Sequence, residues 1–188
     1  GVFDVSYLNT IPYFTVYSPS CYDELSYMLG QAVYHDTGAV AVRYPRGKEK
    51  EMPKDYHYDK SDYSVFGTDD SKNCIITYGV EFSECYAALK ELEDTFIIKL
   101  NKIKPIESSI FNLINHNKNV FFFEESIKSG SVGEAFAAML EEKGICASFH
   151  HICIKDEFVK QASVESQLKA YSLDKNSVVS IVKEVSNV

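Results

Sequence analysis

Four places in the chain carry residue types that could do chemistry. Arg46 ends the run Val42-Arg43-Tyr44-Pro45-Arg46, directly before Gly47 and just past an apolar stretch. A guanidinium there can hold a phosphate through two parallel charge-assisted hydrogen bonds. In open α/β sheets the ligand crevice lies outside the carboxyl ends of the strands. Position alone favours a surface or salt-bridge role, with phosphate binding as the sharper alternative. Arg43, inside the apolar stretch, reads as structural. Ser129-Gly130-Ser131-Val132-Gly133 follows one strand-like run and opens a helix, the setting of a phosphate-binding turn. The full GxGxxG is absent, and Glu124 and Glu125 just upstream would repel an anion, so close helix–strand packing explains these glycines better. His150, His151 and Cys153 could suggest a metal, but on a strand His150 points away from the other two. Two ligands fall short of the three or four that zinc requires, so no metal site is expected. Glu124-Glu125 could do acid/base work, yet at the end of a core strand they fit helix-capping or interface roles better. No Ser/His/Asp or Cys/His nucleophile pattern occurs. Taken alone, these residues support an α/β protein with a possible anion site.

Such residues need elements to position them. Phe14–Tyr17 reads as a strand, stopped by Ser18-Pro19-Ser20. Ser20, with Asp23 three residues on, is a capping-box candidate for an amphipathic helix over 21–35. Ala39–Tyr44 is nearly all apolar, as expected of a strand covered on both faces. Residues 48–62 turn to Lys, Glu, Asp and Tyr and read as a linker, its clustered tyrosines ordering it against a neighbour. Beyond it, strands are expected at 74–78, 96–100, 120–123 and 147–154. Helices are expected at 81–92, 107–116, 130–143, 163–171 and 175–186. The alternation calls for a three-layer αβα fold with a mostly parallel sheet.

Composition excludes several classes. Apolar residues are 45% of the 188, enough for a packed core. The net charge of −8 disfavours nucleic acid and anionic membranes, which are polyanions. No apolar run is long enough to cross a membrane as a helix. The five cysteines are odd in number and form no CxxC. They read as reduced, buried thiols of a cytoplasmic protein. Gly1-Val2-Phe3-Asp4 has neither a basic nor an apolar leader region and no initiator Met, so residues are expected upstream rather than a signal peptide.

Longer motifs add a resemblance. Gly1-Val-Phe-Asp-Val-Ser-Tyr-Leu8 resembles the stretch after the active-site histidine of the 1-deoxy-D-xylulose-5-phosphate synthase family, whose pattern is H-x-G-x-F-D-x-S-Y-L. Ile11-Pro12, Ser18-Pro19-Ser20 and Glu24-Leu25 continue it in register, and Val42–Gly47 resembles the family's R-Y-P-R-G. Tyr78-Gly79, Ile103-Lys-Pro-Ile106, Glu124-Glu125 with Gly130 and Gly133, Asp156 with Phe158, and Leu173-Asp174 extend it over nearly the whole chain. The first 47 residues are its specific part.

The resemblance implies that residues 1–47 end an α/β pyrimidine-binding domain, 48–67 link, and 68–188 form a transketolase C-terminal domain. The parent enzyme would be a transferase that condenses pyruvate with glyceraldehyde 3-phosphate, releasing carbon dioxide, with thiamine diphosphate and Mg2+. Its product would feed isoprenoid, thiamine and pyridoxal phosphate synthesis. Arg46 would grip the phosphate of glyceraldehyde 3-phosphate, and Asp4 would support the site from behind. The catalytic histidine, the cofactor-activating glutamate and the diphosphate motif lie upstream in the family. This chain alone is therefore expected to hold no catalytic residue, no metal and no cofactor, and to depend on the missing N-terminal and pyrimidine domains and on a homodimer. A remnant of a pyrimidine domain would expose apolar surface unless covered. The chain departs from the family at Asn101-Lys102, where Arg-Phe is common, at Ser129-Gly130 in place of a double glycine, and at Cys153-Ile-Lys155-Asp156 in place of G-x-P-D. The alternatives are a fragment of a transketolase or of a 2-oxoacid dehydrogenase beta subunit, which the combined motifs disfavour, and a non-catalytic assembly module.

Overall fold

The computed structural model describes residues 2–45, 47–114 and 119–186. Arg46 lies outside the described residues, as do the last two residues of the helix expected at 107–116. The first segment forms α1 (Asp4–Thr10), β1 (Thr15–Tyr17), α2 (Tyr22–Tyr34) and β2 (Val40–Val42). A strap without regular structure leads to β3 (Tyr63–Phe66), β4 (Asn73–Tyr78), α3 (Glu81–Leu89), β5 (Thr95–Leu100) and β6 (Lys102–Lys104). Then come α4 (Ile110–Leu113), β7 (Asn119–Ile127), α5 (Val132–Glu142), β8 (Ser148–Ile154), α6 (Val164–Ala170) and α7 (Lys175–Ser186).

The central sheet has the order β3-β5-β4-β7-β8. Its last four strands are parallel, and β3 runs antiparallel on the edge. Every residue of β4 and β5 is buried, which is why both read as mostly apolar runs. Alternate residues nevertheless serve opposite faces. Cys74, Ile76, Phe96, Ile98, Val120 and Phe122 pack with α4 and α5 through Phe111 and Phe136. Ile75, Ile97, Phe121 and Phe123 pack with α3 and α7 through Phe82, Cys85, Val178 and Val182. Each such apolar side chain contributes about 1.5–3 kcal/mol when fully buried. The three expected layers are present.

The second sheet departs from expectation. Its order is β2-β1-β6: β1 pairs in parallel with β2 and antiparallel with β6. The first segment is thus stitched to the rest by backbone hydrogen bonds. β2, expected to be covered on both faces, is a half-buried edge strand. Helix α1 was not expected. Lys104 holds its last turn by donating to the carbonyls of Leu8, Asn9 and Ile11 at 3.1, 2.6 and 2.5 Å, the groups an α-helix leaves unpaired. Ser20 does not cap α2. Its hydroxyl instead donates to Gly79 O, while Glu24 Oε2 accepts from Ser20 N–H at 2.7 Å.

Apolar side chains do stand in solvent on the first segment: Phe3, Tyr7, Tyr13, Leu29, Val33 and Tyr34 are all exposed. Of the cysteines, Cys74 and Cys85 are buried, Cys21 and Cys153 half-buried and Cys146 exposed, and all five are free thiols. Among the described residues no helix is long and apolar enough to cross a membrane.

Candidate functional site

From β4 the chain crosses by α3 to β5 on one side, then returns by α4 to β7 on the other. The carboxyl end of β4 is therefore a topological switch point, where α/β sheets open a crevice. Here the chain's own first segment fills it. The Ser18-Pro19-Ser20 turn sits on Gly79, whose φ of +59° suits glycine. A Cβ there would lie 2.8 Å from Ser18 Oγ. Arg43, reaching in from beyond β2, donates from Nε to both Asp4 oxygens at 3.1 and 3.2 Å. Its second amino group reaches Glu125 O at 3.3 Å, and its guanidinium lies 5.9 Å from the centre of the Tyr78 ring. Arg43 thus ties α1, β2, β4 and β7 together, the structural role expected of it. Asp4 also accepts from Val5 N–H at the start of α1.

Glu124 anchors the floor. It is fully buried. Its Oε2 accepts from Tyr78 OH at 2.7 Å, and its Oε1 accepts from Gly133 N–H at 2.9 Å and lies 2.6 Å from His151 Nε2. Burial, then the Glu124 charge, pushes the Tyr78 phenol well above its usual value. Glu124 therefore caps α5 from the preceding strand. Ser131 Oγ takes Glu134 N–H, and Glu134 Oε2 takes Gly130 N–H at 2.7 Å. These caps and Glu124 occupy the N–H groups of Gly130, Gly133 and Glu134 that a phosphate would need, so the Ser129–Gly133 turn is not an anion site. His150 and His151 point to opposite faces as expected: His150 stacks on Phe121, and His151 turns to Glu124. Gly133 is required by close approach, because a Cβ would stand 2.5 Å from His151 Nε2 and 2.7 Å from Glu124 Oε1. Gly133→Ala should cost about 1–3 kcal/mol by overpacking, read as a lowered urea midpoint.

A second polar cluster was missed in the sequence. Lys99 and Glu24 form an ion pair at 2.7 Å with both side chains fully buried. Tyr56 of the strap donates to the same Glu24 oxygen. Lys99 also reaches Asn101 Oδ1, and Asn101 Nδ2 donates to Ser61 O at 2.9 Å and Ser64 Oγ at 3.1 Å. Burial draws the Lys99 ammonium below its usual value, and Glu24 works against that. Where the resembled family often has arginine, Asn101 is neutral, and the cation facing Glu24 stands two residues earlier. The sequence did hold signals for both partners. Lys99 interrupts an otherwise apolar strand, and Glu24 shares a helix face with the buried Met28.

The structure thus brings Asp4, Arg43, Glu124, Glu125 and His151 to one end of the central sheet, while Arg46 lies outside the described residues. Among the described residues no group of three His, Cys, Asp or Glu side chains could hold a metal ion. With the α5 amino end capped internally, these residues do not by themselves fit a metal-bound diphosphate.

Comparisons with known proteins agree with this architecture. The 1-deoxy-D-xylulose-5-phosphate synthase of Clostridium tetani is 28% identical over 98% of this chain and 30% of its own length. Those of Listeria innocua and Clostridium botulinum are 28% and 29% identical over 98% and 100% of this chain. The chain spans about 30% of the length of these curated relatives. A solved structure described as a split gene transketolase, inactive beta4 tetramer, superposes with a TM-score of 0.80 at 18% identity, over 98% of this chain and 61% of that one. At that identity the likeness concerns the fold. The family model of the transketolase C-terminal domain matches residues 64–178, and the chain belongs to that family.

Proposed function

We propose that the chain is the C-terminal part of a 1-deoxy-D-xylulose-5-phosphate synthase, a transketolase-type transferase that joins pyruvate to glyceraldehyde 3-phosphate with loss of carbon dioxide. The observation that carries this reading is the run of relatives of that name matching nearly the whole chain, the first 47 residues included. In this reading residues 1–47 complete a pyrimidine-binding domain, 48–67 connect and 68–188 form the C-terminal domain. Thiamine diphosphate, with Mg2+, supplies the carbanion chemistry when bound, and domains other than this one hold it. Arg46 grips the acceptor's phosphate as a fixed two-pronged donor. The Arg43–Asp4 bridge supports this arrangement, since it clamps the F-D-x-S-Y-L segment beside the strand that leads to Arg46. The chain alone neither binds the cofactor tightly nor turns over. The exposed apolar side chains of α1 and α2 support upstream domains and a homodimer as their cover. The enzyme works in the cytoplasm. The neighbour described as an inactive β4 tetramer supports the view that a part with this fold can assemble without activity.

The test uses the protein encoded by the gene's whole reading frame. Arg46→Ala should raise the KM for glyceraldehyde 3-phosphate about 10–100-fold, the loss of one charge-assisted contact of about 1.5–3 kcal/mol, and leave the KM for pyruvate unchanged. Equal effects on both substrates would remove Arg46 from the phosphate site. A whole reading frame without the histidine motif would end the synthase reading.

A further inference from the structure

Glu81 opens α3, two residues after Gly79, where the first segment meets the end of β4. It is 2% exposed, and neither of its carboxylate oxygens has a hydrogen-bond partner among the described residues. A buried, unpaired charge is costly enough that a carboxyl group in such a place keeps its proton instead. The turn that carries it is the one the first segment grips: Ser20 Oγ donates to Gly79 O at 2.7 Å, and the Ser18 hydroxyl packs on Gly79.

We propose that Glu81 is a proton-operated latch, protonated while the seam between the Ser18–Ser20 turn and the β4–α3 turn is closed, and ionised when that seam opens. The charged groups around it favour this. Glu125 at the end of β7, Glu84 one turn on in α3 and Asp174 ahead of α7 disfavour a charge on Glu81, and Lys50 of the strap favours one. Burial is the largest influence and pushes Glu81 well above the carboxylate range. Lys50 is engaged by Glu84 at 2.7 Å, and Arg43 by Asp4, so neither cation is free to neutralise Glu81. Glu125 is also pushed up by burial, but Arg43 and Lys50 oppose that.

The sign follows from proton linkage. The closed seam binds a proton more tightly than the open one. Its stability is fully present below the ordinary carboxyl value of about 4.3 and is lost as pH rises through the raised value of the closed state. Hydrogen exchange on the 188-residue chain, corrected for the intrinsic rate, tests this between pH 5 and 8. Protection of residues 18–24 and 79–85 should fall as pH rises, by up to about tenfold per pH unit for one released proton, while protection of α5 stays level. Glu81→Gln, which mimics the protonated acid, should keep seam protection level with pH, as should Glu81→Met. Glu84→Gln should leave the fall in place. A level wild-type seam would overturn the latch. So would equal loss in α5, or a folded Glu81 variant whose seam still falls as the wild type does.

Discussion

Glu24→Ala should lower the unfolding free energy by about 3–5 kcal/mol, the cost of leaving one member of a buried ion pair alone. Buried Lys99 would lose the carboxylate that opposes its burial and be left facing the Asn101 side-chain oxygen and the rings of Tyr56 and Phe82, the latter at 5.5 and 5.6 Å. Each ring face attracts a cation by only about 0.5–2 kcal/mol, too little to replace a carboxylate. The Ser20 N–H and the Tyr56 hydroxyl would lose their acceptor in the same step. Urea unfolding at neutral pH measures the change. The double variant Glu24→Met with Lys99→Met should recover most of it, because removing both charges removes the desolvation penalty as well as the attraction. A double variant as unstable as the single one would show that the strap and helix contacts, rather than the charge, carry the effect.

Glu124→Ala should cost about 3 kcal/mol or more. Three donors converge on this carboxylate from three elements: Tyr78 of β4, Gly133 of α5 and His151 of β8. Each buried donor left without an acceptor costs about 1–3 kcal/mol. Gln can still accept at one oxygen, but its amide nitrogen would face a donor at the other position, so Glu124→Gln should recover only part of the loss. Thermal unfolding of the two variants, run side by side, reads the difference. An alanine variant within about 1 kcal/mol of wild type would mean that water satisfies the site.

Much of the central sheet was legible in the sequence because its signals are local. β4, β5 and β7 are apolar runs bounded by turn residues, and α5 and α7 show helical periodicity. What escaped depends on distant partners. Helix α1 has only 7 residues, too few to be stable alone, and it persists because Arg43 grips Asp4 and Lys104 grips its last carbonyls. β6 is Lys102-Ile103-Lys104, a strand only because β1 lies beside it. β3 has only four residues and follows a segment whose polarity reads as linker. The candidate site was legible in part. Glu124 and Gly133 were noticed for capping and close packing, roles the geometry gives them. Sequence alone could not pair Arg43 with Asp4 across 39 positions, nor show that Glu81 lies at a closed seam, because partner choice is set by the folded topology.

The β1–β6 pairing bears on how the chain is made. Val16 meets Lys104, so β1 leaves the ribosome ~90 residues before the strand it must join. At synthesis rates of about 5–20 residues per second, it waits roughly 5–20 s with one edge open. During that time its backbone groups can pair with any passing strand edge. A nascent chain paused before residue 102 should therefore recruit holding chaperones through its first segment and release them once β6 emerges. Synonymous codons that slow translation between residues 18 and 101 would be expected to lower soluble yield without altering the finished protein.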